Sequence, residues 1–246
     1  MISQQKNRDR YVATVEHIEK LNDETICIKM HCPDFSHYKA GQYLKVFMDE
    51  QTTKSYSLAS SPNVDAELHL HIRRTASGGA SHWFHEQLEV VDSLHISPPQ
   101  GACFYLPVNI DQPLLFISTG SGLAPHYGMV RSALRHGHRG QIRLYHGVRH
   151  PRELYLAEQL QELGRLHKNF HYFPCVSQGP AEGYLAGRAL DIALRDTPLS
   201  KDWRAYLSGH PEMVFAGRDS LANAGAVPSS IFSDFFASPS ALSCAA

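Results

Sequence analysis

A chain of 246 residues, 43% of them hydrophobic, is long enough to bury a core and to form two domains, and its composition excludes a disordered chain. With 23 Lys plus Arg against 24 Asp plus Glu the formal charge is -1, so there is no electrostatic reason to expect nucleic acid or an anionic membrane surface as the partner. The opening MISQQKNRDRY lacks the apolar core of a signal peptide and no stretch approaches the roughly 20 apolar residues of a membrane span, so a cytoplasmic protein is expected.

The first elements alternate at the strand period of two and are broken by turn residues: YVATVEHI, ETICIKM, QYLKVFM, KSYSLAS, ELHLHIRR and SLHISPP. SHWFHEQL is the helical stretch among them. The pattern predicts a small antiparallel β-barrel over residues 1–110. In KSYSLASSP, Lys54 and Tyr56 share one strand face and Ser55 and Ser57 the other. A cation and an aromatic ring can then meet one ligand, the ring by stacking and the cation by answering a phosphate. An exposed strand with a buried tyrosine reads the same way. Further on, Gly78, Gly79, Ala80 and Ser81 open the helix, where small residues and unpaired amides suit an anion. An ordinary capping turn has the same composition.

After PVNIDQP the grain changes to alternating strands and helices, which predicts a doubly wound α/β domain with a parallel sheet over residues 111–246. The strands are LLFIST, QIRLYHGV, FHYFPCV, WRAYLSG and SSIFSDFF; the helices are LAPHYGMVRSALRHG, PRELYLAEQLQELGRL, GRALDIALRD and PEMVFAGRDSLANAG. Ligands of such sheets bind beyond the carboxyl ends of the strands. There, Thr119, Gly120, Ser121 and Gly122 form a glycine turn that opens a helix, where free amides at a helix start suit a pyrophosphate, although a plain strand-to-helix turn reads the same way.

Five cysteines without a C-x-x-C suggest neither a disulfide framework nor zinc, and no iron-sulfur cluster motif is present. Sixteen histidines include close pairs such as His69 and His71. The alternation LHLHI puts both rings on one strand face, which is expected to be solvated, and no metal site is expected.

In order along the chain, KSYS, GGAS, TGSGLAP, SGHPEM and IFSDFF resemble the ferredoxin-NADP⁺ reductase superfamily. Its pattern runs R-x-Y-S, G-x-x-S, T-G-x-G-x-x-P, C-G-x-x-x-M and an acidic, aromatic last strand, and the likeness extends from about residue 9 to residue 237. The resemblance implies a Greek-key β-barrel that binds FAD, with FMN less expected, followed by a doubly wound NAD(P)-binding domain. It implies Tyr56 stacked on the isoalloxazine, Ser57 near its N5 atom, and Lys54 with the amides of Gly79, Ala80 and Ser81 on the FAD pyrophosphate. Leu58, His71, Ile72 and Gly78 complete the cofactor-binding set of the barrel. Thr119, Gly120 and Gly122 would face the pyrophosphate of NAD(P)H, Gly209, Pro211, Glu212 and Met213 the entering nicotinamide, and Phe236 the far face of the flavin. Ser57, Ser208 and Asp234 stand at the catalytic positions.

Three residues depart from that pattern. Lys54 replaces arginine and loses the bidentate fork, Ser208 replaces a common cysteine, and Asp234 replaces the usual glutamate. Ser177 and Gln178 stand where the superfamily places a Ser-Arg pair on the 2′-phosphate, which favours NADH, although Arg149, Arg152 and Arg188 lie in nearby loops. The expected activity is an NAD(P)H oxidoreductase that passes electrons to a separate acceptor: a ferredoxin, flavodoxin, oxygenase component, free flavin or ferric complex. The alternatives are a non-catalytic electron-transfer subunit or sensor of the same fold, and a plain dehydrogenase with His126 or His146 at its centre.

Overall fold

The computed structural model describes residues 10–35, 37–75 and 78–236; all but the last two residues of the amino-terminal stretch read above lie outside them. In the first half, strands β1 (Tyr11–Lys20), β2 (Thr25–His31), β3 (Tyr43–Phe47), β4 (Thr53–Ser57), β5 (Leu68–Arg73) and β6 (Ser93–Ile96) form one antiparallel sheet in the order β4-β3-β6-β1-β2-β5. The sheet curls until its ends meet. A bridge joins Leu58 to Leu70, and the Ala59 amide donates to the His69 carbonyl at 2.9 Å. The alternation in the sequence has a direct consequence: Val15, Ile28, Leu44, Leu58, Leu70 and Ile96 point inward and have no exposed surface. Helix α1 (Ala80–Glu86) plugs one end with Phe84.

The second half alternates β7 (Leu114–Thr119), α2 (Leu123–Arg135), β8 (Ile142–Val148), α3 (Ala157–Leu166), β9 (Phe170–Val176), β10 (Leu185–Ala186), α4 (Ala189–Asp196), β11 (Arg204–Gly209), α5 (Pro211–Asn223) and β12 (Ile231–Phe235). The sheet is parallel with the order β10-β9-β8-β7-β11-β12. Along β7, Leu114 and Phe116 pack towards α2 and α3 while Leu115 and Ile117 pack towards α4 and α5. Burial on both faces is why this strand reads as a continuous apolar run. Strand order reverses between β7 and β11, so their carboxyl ends part into α2 and α5 and leave a crevice.

Two expectations need correction. The segment 151–166 is not one helix. A short 3-10 turn covers Pro151–Glu153, Leu156 is left-handed (φ 55°), and α3 begins only at Ala157. The cause is a tie to the barrel: the Glu153 carbonyl accepts from Asn22 Nδ2 at 3.0 Å, its carboxylate from the His150 amide and Arg73, and Tyr155 is buried. Nor is the face of β5 that carries His69 and His71 solvated. Leu68, Leu70 and Ile72 face the barrel core, so the two histidines face outward, yet only 9% and 6% of them is exposed, His71 lying against Tyr127 of α2 and Tyr155. The two-residue strand β10 is too short to show an alternation. Among the described residues no helix is long and apolar enough to cross a membrane.

Candidate functional site

The walls of the crevice are glycines because nothing larger fits. A β-carbon on Gly122 would lie 2.3 Å from the Ser208 carbonyl oxygen, and one on Gly209 (φ 127°) would lie 2.3 Å from Thr119 Oγ1. Thr119 Oγ1 accepts the His210 amide at 2.9 Å, which ties it to the start of α5 and leaves its O–H proton to donate. Beyond it, Pro211 occupies the first turn of α5, Glu212 faces solvent, and Met213 packs against the apolar layer under α4 and α5. The amides of Gly120, Ser121 and Gly122 lie at the start of the turn into α2 with no side-chain cap.

On the barrel side, Lys54 is exposed on β4 and Tyr56 is half-buried, its ring edge-on to Phe84 at 5.3 Å between centroids. Gly78 (φ 69°) and Gly79 (φ 73°) are left-handed, and a β-carbon added to either would meet nothing within 4 Å. The backbone at the mouth of α1 is therefore open to a ligand, and Gly79 gives the helix no side-chain cap. The Ser81 hydroxyl is committed elsewhere: it lies 2.7 Å from Thr75 Oγ1 and accepts the Thr75 amide at 3.1 Å. Only its amide is left to serve an anion. Leu58 and Ile72 are core side chains, and the ring of His71 packs on Tyr155 at 5.4 Å and Tyr127 at 6.0 Å. These three can reach a cofactor through backbone alone, not through the side chains that a reading of the strand would suggest.

The three expected catalytic side chains converge. Ser57, at the end of β4, donates to Asp234 Oδ2 at 3.2 Å across 177 residues of sequence. Ser208 pairs with Asp234 in the parallel register of β11 and β12, so both side chains project from the same face of the sheet. The Ser208 hydroxyl is fully buried with no hydrogen-bond partner among the described residues. An unsatisfied buried hydroxyl is costly and fits a position where a ligand completes the bonding. Phe236 is anchored beside them by its amide, which donates to the Gly209 carbonyl at 2.9 Å. A cleft of about 340 Å³ runs from Asp234 and Arg218 to Tyr43 and Gly101 of the barrel.

Burial pushes the Asp234 carboxyl above its usual value of 3.8, opposed by the Ser57 hydrogen bond. Sign follows from that direction. The folded state holds the proton more tightly than the unfolded chain, so the contribution to stability is full below 3.8 and is lost as pH rises through the folded pKa. Asp234→Asn removes this dependence while keeping an acceptor for Ser57. The variant is expected to gain stability relative to wild type between pH 4 and pH 7 in urea melts, and a constant difference across that range would contradict the shift.

What reading the sequence missed is the set of contacts that locks the two halves together. Asp65, in the loop before β5, makes two 2.7 Å bonds to the guanidinium of Arg131 on α2. Arg73 joins Glu24 at 2.7 Å to Glu153 at 3.4 Å. Gly128 approaches so closely that a β-carbon would lie 2.7 Å from the Ser60 carbonyl oxygen. The partners of Arg131 and Arg73 are 66 and 49 to 80 residues away, beyond any local pattern. The dehydrogenase alternative fails on its own residues: His126 and His146 have no exposed surface and no ion-pair carboxylate among the described residues, and burial holds them at about 3 and about 4.

Residues 12–105 match the family model described as the oxidoreductase FAD-binding domain, and residues 116–219 match the oxidoreductase NAD-binding domain. Among curated proteins, the ferredoxin-NAD(P)(+) reductase component of the naphthalene 1,2-dioxygenase/salicylate 5-hydroxylase systems of Ralstonia sp. is 34% identical over 91% of this chain and 68% of its own length. The corresponding component of the naphthalene 1,2-dioxygenase system of Pseudomonas putida is 34% identical over 81% of this chain, which spans 60% of that relative. The crystal structure of the Amycolatopsis cytochrome P450 reductase GcoB superposes with a TM-score of 0.87 at 29% identity, covering 92% of this chain and 69% of that one. A Neisseria gonorrhoeae ferredoxin NADP⁺ reductase with bound FAD and NADP shares the fold, with a TM-score of 0.81 at 20% identity over 93% of this chain and 99% of its own.

Proposed function

Because this chain belongs to the ferredoxin reductase-like oxidoreductase family, joining an FAD-binding to an NAD-binding domain, we propose that it is an NAD(P)H-dependent flavoprotein reductase that passes electrons to a separate acceptor protein. The observation that carries the reading is the junction itself: Ser57 of the barrel bonded to Asp234 of the last strand, with the unsatisfied Ser208 hydroxyl beside them at the switch point. When bound, a flavin supplies two-electron acceptance from a nicotinamide and one-electron donation to a carrier. The chain's own contribution is placement. Tyr56 offers the stacking face, while Lys54 and the amides of Gly79, Ala80 and Ser81 offer the cradle for the FAD pyrophosphate. Gly120 and Gly122 with the Thr119 backbone take that of the nucleotide. Gly209, Pro211, Glu212 and Met213 border its nicotinamide end, Phe236 closes the mouth, and Ser57, Ser208 and Asp234 face the reacting centre.

Tyr56→Ala is expected to weaken flavin binding by about 0.5–1.5 kcal/mol beyond the area term, or roughly two- to tenfold in Kd, as read by fluorescence of released flavin. Unchanged retention would remove that ring from the site. NADH is the favoured nucleotide in this reading. Gln178 carries no charge, the Ser177 hydroxyl is engaged with the Val148 carbonyl at 3.1 Å, and Arg149 stands 3.7 Å from the Glu153 carboxylate. The acceptor is a ferredoxin or an oxygenase component, by analogy with the dioxygenase-system relatives. A cytoplasmic setting agrees with the free thiols of Cys27, Cys32, Cys103 and Cys175.

The test is an absorbance spectrum of the purified protein before and after anaerobic NADH and then NADPH. Flavin bands bleached by nucleotide, faster with NADH, are the expected result. No flavin band after incubation with FAD would overturn the proposal, and bound flavin that neither nucleotide reduces would point to the electron-transfer subunit.

A further inference from the structure

We infer that His146 is a positioning residue for the nucleotide turn, holding the Gly120 carbonyl so that the next amide faces outward; the inference rests on reading Gly120–Gly122 as the pyrophosphate turn. His146 lies on β8, fully buried, one strand away from the turn. Its Nε2 is 3.0 Å from the Gly120 carbonyl oxygen and its Nδ1 is 3.3 Å from the Tyr172 hydroxyl. A carbonyl only accepts, so Nε2 carries the proton, and the bare Nδ1 accepts from Tyr172. Burial keeps the ring neutral, down to about 4, which leaves this tautomer in place at neutral pH. The ring plane is fixed from the side by Tyr155, edge-on at 5.6 Å.

Gly120 needs such a hold. It is left-handed (φ 52°), and a residue without a β-carbon has little intrinsic preference for one conformation. Its carbonyl also accepts the Leu123 amide, so His146 and Leu123 together use both lone pairs. Peptide planarity then carries the effect across the bond: with the Gly120 carbonyl pinned towards β8 and α2, the Ser121 N–H points the opposite way. The histidine thus sets the aim of a donor it does not touch.

The flavin-loaded protein is assayed with ferricyanide as acceptor and NADH or NADPH as the varied substrate. His146→Phe keeps the bulk of the ring and removes both hydrogen bonds. It is expected to raise KM for the preferred nucleotide about tenfold, with kcat within about twofold and flavin content unchanged. His146→Gln restores an N–H near the Nε2 position and is expected to return KM to within about threefold of wild type. Tyr172→Phe, which leaves the ring but frees Nδ1, is expected to raise KM about threefold and carries the test if His146→Phe fails to fold. An unchanged KM in His146→Phe, or a glutamine variant as impaired as the phenylalanine one, would overturn the inference. Gly122→Ala separates the two levels. If it raises KM while His146→Phe does not, only the positioning role fails; if it too leaves KM unchanged, the turn is not the nucleotide site.

Discussion

Replacing Arg131 with methionine is expected to lower the stability of the protein by about 3–5 kcal/mol, because the change strands the Asp65 carboxylate in the domain junction. Asp65 and Arg131 are 9% and 18% exposed at the side chain, and the bond is bidentate, with both distances 2.7 Å. Without the guanidinium, Asp65 keeps the Ser61 amide as its donor, at 2.7 Å. A second loss follows from Tyr127, whose ring lies 4.9 Å from the Arg131 guanidinium and tilts against His71. The double variant Asp65→Leu, Arg131→Met removes both charges at once. It is expected to recover more than half of the loss, since an apolar pair of similar volume often replaces a buried ion pair without cost. Urea midpoints at low and high salt measure both effects; because the pair is shielded from solvent, salt should change the difference little. A loss below about 1 kcal/mol, the range of an exposed pair, would show that this contact does not hold the domains together.

How far the sequence could be read follows from which interactions are local. The period-two alternations and the strand and helix punctuation were legible because each records burial within one element, and β1 to β9 fall within or close to the segments those patterns marked. The glycine turn at 120–122 was legible for the same reason, as a strand end running into a helix start. Ser57 and Asp234, 177 residues apart, carry no joint local signal and were each placed at the site only through resemblance to a family pattern; their hydrogen bond appears only in the fold. The faces of β5 show the limit of alternation: it tells which residues share a side, not what covers that side, so His69 and His71 were expected in water, yet both are buried, His71 under Tyr127 of α2 and Tyr155 before α3. Leu156 is a stronger case. A leucine in the left-handed region is unfavourable by itself, and only the ties of Glu153 to Asn22 and Arg73 explain it.

Those ties matter to the proposed chemistry, because the candidate site has no single owner. Ser57 comes from the barrel, Ser208 and Asp234 from the parallel sheet, and their approach depends on how firmly the two halves are docked. Arg73 and Asp65 stand at the two ends of the β5 side of that docking, in contact with the segment after β8 and with α2. β8, which leads into that segment, carries His146, and α2 is the helix that the glycine turn opens. Docking and the proposed nucleotide turn therefore lie on adjoining elements.

Gly122→Ala is expected to lower nucleotide-dependent flavin reduction at subsaturating NADH at least tenfold, and the reason is space rather than conformation. Gly122 is right-handed (φ -59°), a backbone that alanine adopts freely. The added methyl, however, would lie 2.3 Å from the Ser208 oxygen, 2.6 Å from its carbonyl carbon and 2.8 Å from the Gly209 α-carbon. All three are backbone atoms, so no side chain can swing aside. Either the end of β11 moves away from β7, or the turn moves out of the crevice, and overpacking of this kind costs about 1–3 kcal/mol. Both movements separate the residues proposed to border the nucleotide from those proposed for its pyrophosphate, while α1, Lys54 and Tyr56 are untouched, so flavin content should stay at the wild-type level. Gly137→Ala provides the comparison. Gly137 is left-handed (φ 70°) with open space around it, so alanine there strains the chain by about 1–2 kcal/mol yet leaves the crevice unaltered. If stability alone governed activity, the two variants would lose nucleotide-dependent reduction in proportion to their melting points; a loss confined to Gly122→Ala, measured by stopped-flow bleaching with NADH, ties the reaction to the width of the switch-point crevice.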